Sequence, residues 1–258
     1  RLVRYTQIDY DREMAFVAID ASGEHEEIRG IVQASYSTAL SQEAALKRKL
    51  EETKQEMNQL AWAICGNPNL VSGGVRTDFG YVGDIGALPA SLDNLVTNPG
   101  YGTWDGPYIR DDFYSSTGGS ESEFKYDGWG AAYTYTGDSI ISTGGGTTLA
   151  REIAYATSDL LANTVEVLVT DINNTPPGAR RTDVSLELIY PDGAGSTTTT
   201  VANPRANGLA SFSSIPIGHH DLIVVYAYDT VSDTLYRKVV VYPGESFYTE
   251  MAFAQNYW

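Results

Sequence analysis

Residues 41–65 read SQEAALKRKLEETKQEMNQLAWAIC, and they form the one long helix that the sequence predicts. Apolar side chains recur there every three or four residues, which is the spacing of one helix face. They are Leu46, Leu50, Met57, Leu60, Ala61 and Ile64. Ser41 suits the N-cap and Gly66 the C-terminal stop, so the pattern predicts a helix of about 24 residues, roughly 36 Å long. Such an amphipathic helix needs a sheet or a partner to cover its apolar face.

The segment before this helix has the composition of strands. Two apolar runs rich in β-branched residues, Met14–Ile19 and Ile28–Ala34, are separated by the polar stretch Asp20–Glu27. Such a pattern predicts a β-hairpin, because polar turn residues separate two short runs of strand-forming residues. We therefore expect residues 1–40 to form a β-hairpin-like segment.

Turn residues, glycines and aromatics fill the chain between the helix and residue 163. Loops are predicted at Gly80–Gly86, Asn98–Gly102 and Ser116–Ser120. Short strands are predicted at Ala131–Tyr135 and Ser139–Ser142, joined by the tight turn Thr136–Asp138. Residues 41–163 are therefore predicted to be an α+β domain, in which the long amphipathic helix packs on a small antiparallel sheet.

The C-terminal part of the chain, residues 164–258, has the pattern of an all-β domain. Short runs of alternating apolar and polar residues follow one another with Pro- and Gly-containing turns between them. The predicted strands are Val165–Thr170, Val184–Ile189, Leu209–Phe212, Leu222–Tyr228, Leu235–Tyr242 and Phe247–Phe253. With no helical pattern among them, these strands predict a separate β-sandwich.

Composition narrows the classes of function. Apolar residues make up 42% of the 258 residues, which is enough for a core, and 33 Asp and Glu against 17 Lys and Arg give a formal net charge of −16. Such an acidic excess repels nucleic acid and anionic membrane surfaces. No run approaches the ~18 apolar residues of a membrane span. The single cysteine, Cys65, lies in an apolar stretch and is interpreted as a buried small hydrophobe.

The sequence contains no recognisable catalytic motif. The glycine-rich pieces match neither phosphate-binding loop pattern, and there is no metalloprotease, redox or nucleophile-elbow motif. His219 and His220 are neighbours, so on a strand they would point to opposite faces and make a poor metal site. We expect both to face solvent at a turn or strand entry. The chain is therefore predicted not to be an enzyme and to bind no organic cofactor.

Acidic residues crowd the loops of the middle segment and are the one feature that suggests a ligand. Asp111, Asp112 and Asp127 lie among hydroxyls and backbone carbonyls, the oxygen ligands that Ca²⁺ prefers. The alternative is a solvated acidic surface, which the absence of EF-hand spacing favours. Calcium therefore stays a candidate metal and nothing more.

Residues 41–163 also contain four motifs in a recognisable order after the amphipathic helix. They are Thr77–Pro89 (TDFGYVGDIGALP), Ser91–Leu95 (SLDNL), Trp104–Ile109 (WDGPYI) and Asp127–Tyr135 (DGWGAAYTY). In this order the segment resembles the soluble part of a type II secretion pseudopilin or a type IV pilin-like subunit. Trp104 and Trp129 would fasten loops onto the small sheet, and Pro107 would set a turn.

The resemblance implies a structural role in protein transport or adhesion. Such subunits polymerise into filaments: their helices bundle at the core and their sheets face outward, which makes other pilin-like subunits and the secretion or pilus machinery the partners. An apolar N-terminal helix anchors them in the inner membrane before assembly, and residues 1–40 stand in its place here. The implied location is the cell envelope, on its periplasmic or extracellular face. The chain begins with Arg1 rather than Met, so we expect upstream sequence.

Two further resemblances concern the ends of the chain. Asn207–Gly218 followed by Asp221–Val225 is similar to the transthyretin-like, carboxypeptidase-regulatory type of β-sandwich, an accessory module. Residues 1–36 resemble the start of a GNAT acetyltransferase domain, but the acyl-CoA loop of that family does not follow. The alternative function is an extracytoplasmic adhesin, a carbohydrate- or protein-binding module on a pilin-like scaffold, for which 18 tyrosines offer contact area.

Overall fold

The computed structural model of the protein describes residues 25–110 and 123–258. Its longest element is helix α1, His25–Cys65, which at 41 residues is about 60 Å long. The predicted strand at Ile28–Ala34 is therefore wrong. Isoleucine and valine at positions 28, 31 and 32 fit helical spacing as well as a strand, and a short apolar run does not distinguish the two. The other predicted strand of that hairpin, Met14–Ile19, lies outside the described residues.

Ser41 does not cap a helix, because α1 passes through it. Its hydroxyl donates a hydrogen bond of 2.9 Å to the carbonyl of Ser37, one turn earlier. Thr38 and Ser37 donate in the same way to the carbonyl of Ala34. A serine inside a helix can bond to the carbonyl of the preceding turn, so its preference for caps did not locate the start of α1.

The chain divides into two compact units, Arg1–Glu52 and Thr53–Trp258. This division falls inside α1, and the domain boundaries expected near residues 40 and 163 remain predictions. The described part of the first unit is helical throughout. No helix in the described part of the chain is both long enough and apolar enough to cross a lipid bilayer.

The second unit begins with the end of α1 and several short elements. They are β1 (Val71–Ser72), β2 (Val75–Arg76), α2 (Gly80–Ile85), two 3₁₀ turns at Leu92–Leu95 and Glu123–Lys125, β3 (Thr134–Tyr135), β4 (Ser139–Ser142), β5 (Leu149–Glu152) and α3 (Thr157–Leu161). Strands β3, β4 and β5 form an antiparallel sheet in that order. The predicted strand at 139–142 is confirmed, and the one at 131–135 is confirmed in shorter form.

Two of the three loops predicted for this region lie within the described residues. The predicted loop Gly80–Gly86 is wrong, since most of it is the single helical turn α2, which ends with Gly86 in the left-handed region. The loop Asn98–Gly102 is confirmed, and Ser116–Ser120 lies outside the described residues. One apolar core holds these elements together: Met57, Leu60 and Ile64 of α1 pack with Tyr81, Ile85, Leu95 and Ile140.

The seven remaining strands form the predicted β-sandwich. They are β6 (Asn163–Thr170), β7 (Val184–Pro191), β8 (Thr197–Ala202), β9 (Leu209–Ile215), β10 (Gly218–Tyr228), β11 (Val231–Val241) and β12 (Ser246–Ala252). One sheet has the order β11-β10-β7-β8 and the other β12-β6-β9. All pairs are antiparallel except β12 with β6. The six predicted strands are confirmed, and β8 was missed because its Thr-rich sequence shows no apolar alternation.

The sandwich has its own apolar core between the two sheets. Inward side chains alternate along β6 and β10, where Val165, Val167, Leu222 and Val224 are fully buried. Aromatic rings close one end of this core, with Tyr226 stacked on Tyr257 at a centroid distance of 4.4 Å. The described chain is therefore α+β and mostly β, with one long helix and several sheets.

Candidate functional site

The C-terminal part of α1, from Thr53 onward, is fixed to the rest of the second unit by polar as well as apolar contacts. The hydroxyl of Thr53 accepts a hydrogen bond of 2.9 Å from the backbone N–H of Gly128. The guanidinium of Arg151 donates one of 2.6 Å to the side-chain oxygen of Asn58. Because both acceptors belong to successive turns of the helix, they set its rotation as well as its position.

A third polar contact lies between them. The hydroxyl of Tyr133 donates a hydrogen bond of 2.7 Å to a carboxylate oxygen of Glu56. Burial, followed by this bond, raises the pKa of Tyr133. None of these three contacts was predicted, because residues 75 to 93 positions apart carry no pairing signal in a single sequence.

The predicted helix face divides into a buried and an exposed part. Met57, Leu60 and Ile64 are buried in the core of the second unit. Leu50 is half-buried and Leu46 is 56% exposed, although both belong to the same helical stripe. Nearer the N-terminus, Tyr36 is 46% and Leu40 48% exposed. The predicted assembly residues of this helix thus comprise three core residues, the half-buried Leu50 and the exposed Leu46.

Trp104 bonds its loop to the neighbouring 3₁₀ turn. Its indole N–H donates a hydrogen bond of 2.9 Å to the carbonyl of Asn94, and its ring meets Tyr108 edge to face at 5.6 Å. A side chain at Gly106 would collide with this indole, since its Cβ would lie 2.4 Å from the ring. Pro107 follows a cis peptide bond and is exposed. Trp104 and Gly106 therefore fix the shape of this loop.

Tyr108 joins the same loop to α2. Its hydroxyl donates a hydrogen bond of 2.8 Å to the Asp84 carboxylate and accepts one of 3.2 Å from the backbone N–H of Asp105. Burial raises the pKa of both side chains. In Tyr108 the hydrogen bond raises the pKa further, as burial does. In Asp84 the hydrogen bond lowers the pKa and so opposes the effect of burial. The hydrogen bond between the two side chains therefore ties this loop to α2.

Asp127 organises the second tryptophan loop. One of its carboxylate oxygens accepts hydrogen bonds from the backbone N–H groups of Trp129 and Ala131, at 3.0 and 2.9 Å. The other accepts from the Ser142 hydroxyl at 2.5 Å and from the Gly144 N–H at 3.0 Å. Burial opposes ionisation, but these four donors outweigh it and lower the pKa of Asp127. The carboxylate is thus occupied by the protein itself.

The calcium candidates are not brought together within the described residues. Asp111 and Asp112 lie outside them, and the oxygens of Asp127 already hold four donors. No group of three or more His, Cys, Asp or Glu side chains in ranges 25–110 and 123–258 is arranged to hold a metal ion. Trp129, the other residue of this loop in the prediction, is half-buried, and its indole lies where a Gly145 side chain would be.

A cleft of about 500 Å³ opens beside the end of α1. Its apolar wall is made by the half-buried Trp62, the exposed Leu70 and the buried Ile109, and its polar lining includes Gln59 and Arg110. Asp78 also lines it, but its two carboxylate oxygens accept hydrogen bonds from the backbone N–H groups of Asn67 and Gly80, at 2.7 and 3.0 Å. The cleft was not predicted, because its walls come from separate segments.

Cys65 and the two histidines occupy different environments. Burial raises the pKa of the Cys65 thiol, which keeps it protonated. His219 and His220 point to opposite faces of β10, as predicted, but only His219 is exposed. His220 is buried, with its Nε2 2.8 Å from the carbonyl of Pro216, so the solvent-facing interpretation is wrong for this residue. The reason is that β10 alternates inward and outward from Gly218 onward.

Comparison with known proteins gives no family. None of the protein-family models matches the chain, and no curated protein matches it. Among solved structures, the TIE protein of Bacillus anthracis is 13% identical over 48% of this chain, with a TM-score of 0.31, and the match spans 24% of that protein. A proposed carbohydrate-binding protein of Pseudomonas aeruginosa is 12% identical over 38% of this chain and 90% of its own, with a TM-score of 0.23. Likeness at this level supports no argument about fold or function.

Proposed function

We propose that this chain is a structural subunit of a type II secretion pseudopilus or a type IV pilus-like filament. Helix α1 would pack against the same helix of other copies, and the β-sandwich would lie on the filament surface as an accessory domain. The subunit would act in the cell envelope, on its periplasmic or extracellular face, without catalysing a reaction. Its partners would be other pilin-like subunits and the secretion or pilus machinery.

One observation carries the proposal: among the side chains of residues 33–65, the apolar face of α1 is buried toward its C-terminal end and exposed at Leu46. Met57, Leu60 and Ile64 are buried, whereas Leu46 on the same stripe is 56% exposed. Leu46 adds nothing to the core of the monomer while it is exposed, whereas a helix bundle would bury it. The exposed part of the face is therefore offered to a partner helix.

The anchoring of α1 supports the same role. Thr53, Glu56 and Asn58 bond to three different parts of the second unit, which hold the C-terminal part of the helix within that unit. The ordered motifs of residues 77–135 add the resemblance to pilin-like subunits. Inner-membrane anchoring before assembly would require an apolar N-terminal helix, which the resemblance implies.

The test uses the protein in the cells that produce it. Antibodies against residues 164–258 should label filaments sheared from the envelope, and the full-length protein should co-purify with other pilin-like subunits. Replacement of Leu46 by Asp should abolish incorporation into filaments, whereas Leu46→Met should preserve it, since both variants keep the core unchanged. If the protein is never found in filaments or secretion complexes, the proposal is wrong.

A second candidate is an adhesin, which the exposed aromatic surface of the sandwich favours. Tyr236 is 74% exposed on β11, and Tyr248 is 51% exposed on β12. They belong to different sheets, so they would contact a glycan or a protein one at a time rather than as one platform. Binding in a glycan or surface-protein screen that is lost with Tyr236→Ala, by a protein absent from filaments, would favour this candidate.

A further inference from the structure

We propose that the cleft beside the end of α1 receives Tyr36 and Leu40 from helix α1 of a second copy of this chain. The inference rests on the proposed filament function and assigns one contact within it. It names a docking site on one copy and the side chains that fill it on the next. The stripe around Leu46 remains available for the helix bundle itself.

The cleft has the chemistry of a receptor for apolar side chains. Its wall combines an indole, Trp62, with the aliphatic side chains of Leu70 and Ile109. Leu70 is 50% exposed at its mouth, so apolar surface extends beyond the cleft itself. At about 500 Å³ the cleft has room for more than one side chain. An aromatic and an aliphatic side chain entering together would bury most of this surface.

Tyr36 and Leu40 fit that description. They are separated by four residues, so they project as neighbours from one side of α1. Both are close to half exposed, and the side chains described around them, from Gln33 to Ala44, are exposed as well. This pair is therefore an apolar projection on an otherwise polar helix surface.

Charge supports a second copy of this chain as the occupant. Glu43 follows Leu40 by three residues and thus lies beside it on the helix, and Arg110 lines the cleft. With Leu40 in the cleft, Glu43 would lie at its rim, and we infer that it pairs there with Arg110. The existing bond of Glu43 with Lys47, 2.8 Å long, is between exposed side chains and is weak enough to exchange.

The geometry of such a contact leads to a filament. The projection and the cleft are different surfaces of the same chain, so each copy offers one to its neighbour on either side. A contact of this kind is heterologous, and when the rotation between copies does not close a ring it continues as an open helical assembly.

Disulfide trapping between two variants of the full chain tests the assignment. In a Cys65→Ala background, one variant carries Leu40→Cys and the other Gln59→Cys, at the exposed side of the cleft. After mixing and mild oxidation we expect a mixed disulfide dimer. A matched control replaces Gln59→Cys with Tyr155→Cys, a residue that is 93% exposed and does not line the cleft. Because burial of one leucine-sized side chain is worth about tenfold or more in affinity, the cleft pair should give about ten times more mixed dimer than the control.

A charge exchange gives a second, independent readout. We add Glu43→Arg to the Leu40→Cys variant or Arg110→Glu to the Gln59→Cys variant. Either charge change alone should lower the yield of mixed dimer, and both together should restore it. Equal yields for the cleft pair and the Tyr155 control, or no restoration, would overturn the assignment.

A third pair of variants separates this inference from the function on which it rests. Leu46→Cys in both copies reports contacts along the helix bundle. If this pair forms disulfides within envelope filaments while the cleft pair does not, the filament function holds and the cleft assignment is wrong. If neither pair forms disulfides and the protein is absent from filaments, both proposals are wrong.

Discussion

The hydroxyl of Tyr133 lies 2.7 Å from a carboxylate oxygen of Glu56, which belongs to α1, 77 positions earlier in the chain. Tyr133 is buried and Glu56 half-buried, so water replaces this bond poorly when it is lost. A hydrogen bond to a charged acceptor in such surroundings contributes about 1.5–3 kcal/mol to stability. The bond therefore secures the helix to the β3 side of the second unit.

Tyr133→Phe should lower the free energy of unfolding by about 2 kcal/mol, because it removes the buried hydroxyl that donates a hydrogen bond to the charged Glu56 carboxylate. Urea denaturation followed by circular dichroism would measure the change. Tyr155→Phe is the matched control, since Tyr155 is 93% exposed and its replacement should change stability by less than about 0.5 kcal/mol. Equal midpoints for the two variants would show that the bond to Glu56 contributes nothing.

Asp127→Ala should be among the most destabilising substitutions in the second unit. It leaves the Ser142 hydroxyl and three backbone N–H groups without their acceptor, at a cost of about 3 kcal/mol or more. The loop carrying Trp129 should lose its shape at the same time, which a change in tryptophan fluorescence would report. A Ser142→Ala variant, which removes one donor and leaves the carboxylate satisfied by three, should cost far less.

The same carboxylate predicts how stability depends on acid. The pKa of Asp127 is lower in the folded chain than its ordinary value of 3.8, so its contribution is complete above that value. It is lost as the pH falls below 3.8 and through the lower folded pKa, because the unfolded chain binds the proton first. The Asp127→Asn variant should therefore be less stable than wild type at neutral pH. As the pH falls below 3.8, it should lose less further stability than wild type does. An acid titration of unfolding with the same slope in both proteins would contradict the prediction.

Two glycines with nearly the same φ angle allow the cost of backbone strain to be measured apart from the cost of a steric clash. Gly66 ends α1 at φ +82°, and Gly74 lies in the β1–β2 turn at φ +81°. A Cβ at Gly74 would meet open space, whereas one at Gly66 would lie 2.2 Å from the carbonyl oxygen of Asp78. Gly74→Ala should therefore cost about 1 kcal/mol from backbone strain alone. Gly66→Ala should cost at least twice as much in a thermal or urea melt, because the backbone of residue 78 must move. Similar losses for both would mean that the end of α1 adapts freely.

His220 gives a second, separate dependence on pH. Burial lowers its pKa below the ordinary 6.5, and its Nδ1 has no hydrogen-bond partner within the described ranges. The folded chain therefore keeps the ring neutral while the unfolded chain protonates it, so stability is complete above pH 6.5 and falls as the pH drops below that value. The steepest loss from one such group is about 1.4 kcal/mol per pH unit. His220→Leu should remove this component from unfolding curves between pH 7 and 5, and His219→Gln, on the outer face, should retain it. The same slope in wild type and His220→Leu would contradict the expectation.

The sequence predicted the sandwich better than it predicted the helix, and the reason is physical. Strands with one buried face repeat every two residues, as Val165, Val167 and Val169 do, and few other structures share that period. The run Ile28–Ala34 has only seven residues, too few to separate strand from helix, so the extent of α1 was missed. The four threonines of β8 were missed because an edge strand with both faces polar shows no period.

The candidate site shows the same limit more sharply. Periodicity places Leu46 and Leu60 on one stripe, but it does not tell where along the helix the covering structure ends. That depends on the bonds from Gly128, Tyr133 and Arg151, which come from residues remote in sequence. The regular spacing of a stripe is thus a local property of the sequence, whereas its burial depends on the tertiary structure.

Replacement by alanine should therefore affect folding stability at Leu60 but filament assembly at Leu46. Leu60 is 1% exposed and packs in the core, so Leu60→Ala should lower the free energy of unfolding by about 2–5 kcal/mol. Leu46 is 56% exposed, so Leu46→Ala should change it by less than about 0.5 kcal/mol. If α1 is an assembly helix, Leu46→Ala should nevertheless reduce incorporation into filaments. The variant should fold normally and accumulate as a monomer. Denaturation and filament recovery measured on the same two variants separate the roles. A large loss of stability from Leu46→Ala would show that this leucine is covered within the monomer. Leu46 could then not belong to an exposed assembly face of α1.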